Sequence, residues 1–484
     1  MTTPATSPNP LRRRNSVASV TSISGATSAR GPEPELLEAT DLVAWNAAMR
    51  GDSDVLPWLT EFRLLRGYTS EVAAAVWTND YPPAVEEIVV PLSRETHRYA
   101  HMLGVPTYLR LFGPVIALAD RLEALRVPPS IATSARYAPN RSRARILRPR
   151  SLARWEEGLA RIAQTFPLVL RMDLATFFPS LTPDVLARAL GAFGTEHADA
   201  FLIELARTGI RGLPVGSVPA RLVAEAVLHP LDFALQRLDR MYVRGLDDLA
   251  IGVASQEDAE TLVVQVATAV RPLELNKSKT KVLSTRIEPG VPVEQVGDAA
   301  RALLADRSPD RAQLARALAG VRLEAPGWER RKRQRWLKLL VDAAVRLRVC
   351  VPQILRLIVK LMPGTDGPDW KTVSRLFASP DALHRAEVAR LMSRHDLGVR
   401  AQLTRLVVAD VSALVRREAL FGLVRLGATS EVRGLLRGAP STELDRSAWI
   451  VAAAVVGDIA ALPLQTPYEQ LLDQASREHR PHEL

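Results

Sequence analysis

Two aspartates, Asp247 and Asp248, stand side by side in "VRGLDDLAIGV", residues 243–253. Strand-like apolar runs flank them, which puts the pair at a tight turn. Neighbouring like charges repel, so the arrangement is unfavourable unless the turn is fully solvated or a cation belongs there. A third carboxylate, Asp173, ends the apolar run "LVLRM". If the two runs are neighbouring strands, three carboxylates converge at one end of a sheet, and divalent cations would neutralise them. Mg²⁺ takes carboxylate oxygens together with substrate phosphates, and Mn²⁺ is its alternative. Two such ions can activate a hydroxyl and stabilise the leaving group of an in-line displacement at phosphorus. An Asp-Asp pair alone is usually a solvated hairpin tip, so the surrounding segments have to decide.

The elements that would position these groups follow from the pattern. "FPLVLRMDLATFFPSL", residues 166–181, reads as a buried strand that exits at Asp173 into a turn and helix. A helical segment, the loop "RGLPVGSVPARL" and a longer helix to about Leu238 come next, then the Asp-Asp hairpin. "DAETLVVQVATAV" is helical, and "LELNKSKTKVLST", residues 273–285, reads as strand, turn and strand. This order predicts an α+β fold with an antiparallel sheet rather than a doubly wound parallel one.

Four of these segments, in this order, resemble the palm motifs of reverse transcriptases. "MDLATFFPSL" resembles the first, an Asp leading into an aromatic pair. "GLPVGSVPARLVAE" resembles the second, "YVRGLDDLAIGV" the Tyr-x-Asp-Asp hairpin, and "LELNKSKTKVL" the Leu-Asn-x-x-Lys-Thr element. The resemblance implies a right-hand polymerase fold with fingers, palm and thumb. It implies that Asp173, Asp247 and Asp248 bind two Mg²⁺ ions, helped by the backbone carbonyl of Leu174. Phe178 falls at the steric gate that excludes a ribose 2′-hydroxyl, which implies dNTPs over rNTPs. Either Phe177 or Phe178 is also expected in the core. Gly212 and Gly216 would let backbone approach nucleotide and template, and Lys279 would sit near the triphosphate. The chain departs from the pattern in two places. Gly245-Leu246 fills the slot before Asp-Asp, leaving Tyr242 further upstream, and Val215 stands where Gln is frequent.

The whole chain is consistent with a polyanionic partner, DNA or RNA. Its 484 residues carry a formal net charge of +10, enough length for several domains and enough charge for a nucleic acid. A general preference for Arg would give the same excess. The densest basic stretch, "RYAPNRSRARILRPR" at residues 136–150, has six arginines and no acid. Arg141, Arg143 and Arg145 within it are expected to contact phosphates, as against forming a solvated face. Cys350 is the only cysteine, which excludes a disulfide framework and a Cys-based zinc site. No apolar run has the length of a membrane span, and a cytoplasmic protein is expected.

Residues 1–35 read as a disordered tail, 36–290 as fingers and palm, and 291–484 as a helical, thumb-like and HEAT-like region. "DVSALVRREALFGLVRLG", residues 410–427, is the clearest repeat-like unit. An ordinary helical bundle fits nearly as well. This half would hold product or join subunits in a homo-oligomer, and is expected to fold by itself if cut near Ala325. The combination resembles the abortive-infection and related unknown-group bacterial reverse transcriptases, which act in antiphage defence. Some of these polymerise without a template and prime from a protein hydroxyl. Two alternatives stand beside this reading. One is a retron- or intron-like RNA-templated enzyme; the other is a catalytically silent nucleic-acid-binding scaffold.

Overall fold

The computed structural model describes residues 32–484, apart from 51–54, 58, 93–95, 139–146, 149–150, 194–195, 286–295, 307–308, 310, 348–349, 364, 396–397 and 459–461. It is a mixed α+β structure in which helices predominate. Eight strands are described: β1 (Val85–Pro91), β2 (His97–Leu103), β3 (Arg136–Tyr137), β4 (Leu147–Arg148), β5 (Leu168–Met172), β6 (Tyr242–Gly245), β7 (Asp248–Val253) and β8 (Lys281–Ser284).

Four of them form one antiparallel sheet in the order β6-β7-β5-β8. Alternation along β5 sends Leu170 and Met172 into the main core, while Val169 faces a smaller cluster with Val243 and Ala250. Helix Leu152–Thr165 covers that second face through Trp155 and Ile162. Arg171 lies on this face too, its guanidinium 5.0 Å from the Trp155 ring centre. The helix comes close because residue 158 is Gly. A Cβ there would stand 2.7 Å from the Val243 side chain. Both faces are therefore dry at β6 and β7, while the edge strand β8 is largely exposed, which explains the unbroken apolar run Leu249–Val253 in β7. Each fully buried aliphatic side chain there contributes about 2 kcal/mol relative to exposure.

The hairpin β1–β2 is not legible in the sequence, where residues 36–130 read as mostly helical. Its signal is the β-branched run Ile88-Val89-Val90 after "YPP". The pair is antiparallel, with Ile88 opposite Ala100.

After Ser284 every regular element among the described residues is helical. Helix Ala413–Arg425 is buried almost all round and packs against Ala382–Arg394, Arg400–Ala409 and Glu443–Val456. A helix without a solvent face must lie centrally. Its charged residues are paired: Arg416 Nη2 meets Asp445 Oδ2 at 2.6 Å. Arg417 reaches across to Glu61 near the start of the chain, also at 2.6 Å, and both side chains are buried. The Leu414 N–H donates to Glu86 at 2.9 Å, and helix Pro467–Arg477 packs on helix Thr69–Thr78. One apolar core thus runs from Ala39 to Leu484. The helical half closes back onto the first helices, and a cut near Ala325 would divide that shared core.

Candidate active site

The sheet register brings the three aspartates to one edge. Met172 pairs with Leu249 on β7, so Asp173, one residue on, arrives beside the β6–β7 turn. Gly245 pairs with Asp248, which leaves Leu246 and Asp247 as a two-residue turn. Leu246 takes φ +65°, a left-handed value that Gly more often supplies in such turns. Its side chain is buried, and that burial offsets the backbone cost. The Leu174 N–H donates to the Asp247 carbonyl at 3.3 Å. On the other side Leu174 bridges Leu275, with the Asn276 N–H on the Asp173 carbonyl at 2.7 Å. In extended chain a residue's N–H and C=O share one edge, so the Leu174 carbonyl faces the hairpin side.

Asp173 is 5% exposed. Its Oδ2 accepts from Asn276 Nδ2 at 3.1 Å and meets Lys279 Nζ at 3.0 Å. Burial, then the charges of Asp248 and Asp173, push Asp247 up to about 6. Desolvation works against the Lys279 charge, but its hydrogen bond to Asp173 and the surrounding carboxylates hold it above the usual lysine value. Lys279 therefore serves as the local counter-ion. Among the described residues no three His, Cys, Asp or Glu side chains stand as a ready group for a metal ion.

A second layer fixes the hairpin. Arg244 on β6 is wholly buried. Its Nε donates to Asp232 Oδ1 at 2.8 Å, and its Nη1 stands 2.7 Å from Glu225 Oε2. Tyr242 donates to Asp232 at 2.9 Å, and Arg126 reaches Glu225 at 3.3 Å. Burial works to raise the Glu225 carboxyl, but Arg244 and Arg126 outweigh it and hold it below the usual range. Thr133 and Ile131 also bond the Arg244 main chain, so β6 is tied to the segment before the basic stretch. The sequence signal was available: a lone Arg in an apolar strand and a lone Glu in the apolar helix "ARLVAEAV".

The glycine loop docks on the Phe178 segment. Gly212 has φ +80°, and a Cβ there would lie 2.2 Å from the Phe178 carbonyl oxygen. That oxygen accepts from the Leu213 N–H at 3.0 Å. Gly216 has φ +106°. Phe177 is buried in the core and Phe178 half-buried, their rings edge to face at 5.6 Å. His101 of β2, which the sequence did not single out, holds the loop. Its Nδ1 accepts the Val215 N–H at 3.1 Å, and the His101 main-chain N–H donates to the Val215 carbonyl at 3.1 Å. Arg141, Arg143 and Arg145 lie outside the described residues.

No protein-family model matches the chain, and no curated protein matches it by sequence. Among solved structures, it is similar to telomerase from Candida albicans in complex with a fragment of telomeric RNA. The TM-score is 0.33 and the identity 11%, over 76% of this chain and 67% of that one. At that level the chain's own residues must carry any functional reading. No described helix is long and apolar enough to cross a membrane.

Proposed function

We propose that the chain is a nucleotidyltransferase of reverse-transcriptase type, with a right-hand polymerase arrangement, that builds DNA from dNTPs. The observation that carries this reading is the register that sets Asp173 beside the Asp247–Asp248 turn, with Asn276 and Lys279 on its other side. That juxtaposition follows the order of the four motifs in the sequence.

Asp173, Asp247 and Asp248, with the Leu174 carbonyl, would hold two Mg²⁺ or Mn²⁺ ions. The donor types suit such ions, although the three side chains do not stand as a ready group: burial and the neighbouring Asp248 and Asp173 charges raise Asp247, a strain that a cation would relieve. When bound, such ions supply the charge that activates a 3′-hydroxyl and stabilises the leaving pyrophosphate. The chain's own groups bind and orient. Lys279, on the exposed side of Asp173, would turn to the triphosphate. The Phe178 ring would exclude a 2′-hydroxyl, and the Gly212–Gly216 loop would receive base and template backbone. Arg141, Arg143 and Arg145 would follow strand phosphates. An antiphage role, with untemplated synthesis from a protein hydroxyl, extends from the resemblance of the helical half to the defence-associated branch.

The test is dNTP incorporation by purified full-length protein with Mg²⁺. Asp173→Asn and Asp247→Asn should each lower it by at least about a hundredfold while the circular dichroism spectrum stays unchanged. Wild-type rates in either variant would overturn the reading.

A further inference from the structure

Far along the chain from the aspartates, arginines crowd two adjoining clefts of about 150 and 60 Å³. Arg390 and Arg394 line both; Arg356 joins them in the larger, and Arg63 and Arg425 in the smaller. They come from four helices: Thr60–Leu64, Val351–Leu361, Ala382–Arg394 and Ala413–Arg425. Among the described residues two side-chain carboxylates line the same space, Glu387 and Glu418.

Glu387 is shared, one oxygen 3.0 Å from Arg356 and the other 2.6 Å from Arg390. Glu418 meets Arg425 only at 3.5 Å. Arg63 donates to the Leu484 main-chain oxygen at 3.0 Å. Even with a carboxylate at Leu484, the cations stay in excess among the described residues. Arg394 forms no ion pair among the described residues. The side chain of Arg425 is 4% exposed, yet its Nε has no hydrogen-bond partner among the described residues. Burial first, and then the charges of Arg394, Arg390 and Arg63, push Arg425 down to about 10 despite Glu418. His395 at the rim adds no charge near neutrality, because burial and Arg394 lower its pKa.

Arg425 is buried and, although its Nη1 donates to Ser393, keeps one donor unused beside other cations, a costly arrangement unless an anion completes it. Guanidinium forks that converge from several helices suit a tetrahedral, multiply charged oxyanion better than a planar carboxylate. Clefts of this size admit phosphate groups. We propose that this arginine cleft binds a terminal phosphate group, either of a free di- or triphosphate or of a phosphorylated strand end. It is a separate site from the aspartate edge and does not depend on the activity proposed there.

Calorimetric titration of the full-length protein with sodium pyrophosphate, in EDTA at fixed ionic strength, tests it. The wild type should bind saturably. Arg394→Gln, at an exposed position, should weaken binding about tenfold or more, and adding Arg356→Gln should weaken it further. Asp247→Asn should leave it unchanged, which separates this site from the aspartates. No saturable binding, or wild-type affinity in a folded Arg394→Gln, overturns the proposal. A second arm compares one oligonucleotide with a 5′-phosphate and with a 5′-hydroxyl. A preference for the phosphorylated strand that Arg394→Gln loses assigns the site to strand ends. Pyrophosphate binding without that preference assigns it to free phosphates.

Discussion

Lys279 competes for Asp173 with any cation that would bridge the aspartates, because its ammonium lies 3.0 Å from the carboxylate oxygen. Lys279→Ala should therefore raise affinity for Mn²⁺ in the absence of nucleotide by a fewfold and still lower dNTP incorporation. Paramagnetic resonance of free Mn²⁺ reads the first, an extension assay the second. Unchanged or weaker Mn²⁺ binding would remove the competition. The aspartates were legible in the sequence because each interrupts an apolar run at a strand end. The grip of Lys279 and Asn276 on Asp173 was not. It arises from the turn at residues 277–279, which folds the segment after Leu275 back toward β5, and nothing in the residue types fixes that direction.

The elements around the site are held by polar contacts that can be broken one at a time. Arg244→Met leaves Glu225 and Asp232 buried without their main partner and should cost about 3–5 kcal/mol in urea denaturation. Replacing Glu225 and Asp232 as well should recover part of it. A loss under about 1 kcal/mol would mean that the network does not fix the hairpin. The His101 contact predicts a pH effect. Burial lowers its pKa to about 4, so the folded state binds fewer protons than the unfolded chain between about 4 and 6.5. Stability contributed by neutral His101 is complete above about 6.5 and falls as the pH drops toward 4. His101→Gln, which keeps an acceptor but does not titrate, should lose less stability between pH 7 and pH 5, by on the order of 2 kcal/mol. Parallel melting curves at both pH values would sink this. The β6–β7 hairpin was readable because apolar runs flank a polar turn. The β1–β2 hairpin was not, because Glu86 and Glu87 at its start and helices on both sides mask a short β-branched run.

Across the whole molecule the two halves share one interior. The apolar stripes of the helical half announced burial but not against what, since a stripe does not name its partner. Arg417 and Glu61 name it. A chain ending near Ala325 leaves Glu61 without that partner and uncovers the face under helix Ala413–Arg425. It should lose at least about 3 kcal/mol, visible as a lower melting temperature or aggregation on expression. A shortened chain that melts like the full one would show that the first half does not depend on the helical half, against the shared interior.

The same contact sets a timetable for biosynthesis. Glu61 and Arg417 lie 356 residues apart. A ribosome adding roughly 5–20 residues per second needs roughly 20–70 s to cover that interval. The first helices pack chiefly on one another and on helix Val105–Ala117, but Glu61 and the face that the helical half covers wait for all of that interval. Closure of the interior shared by the two halves is therefore a late step, completed only after the distant helix has left the exit tunnel, and slow by topology.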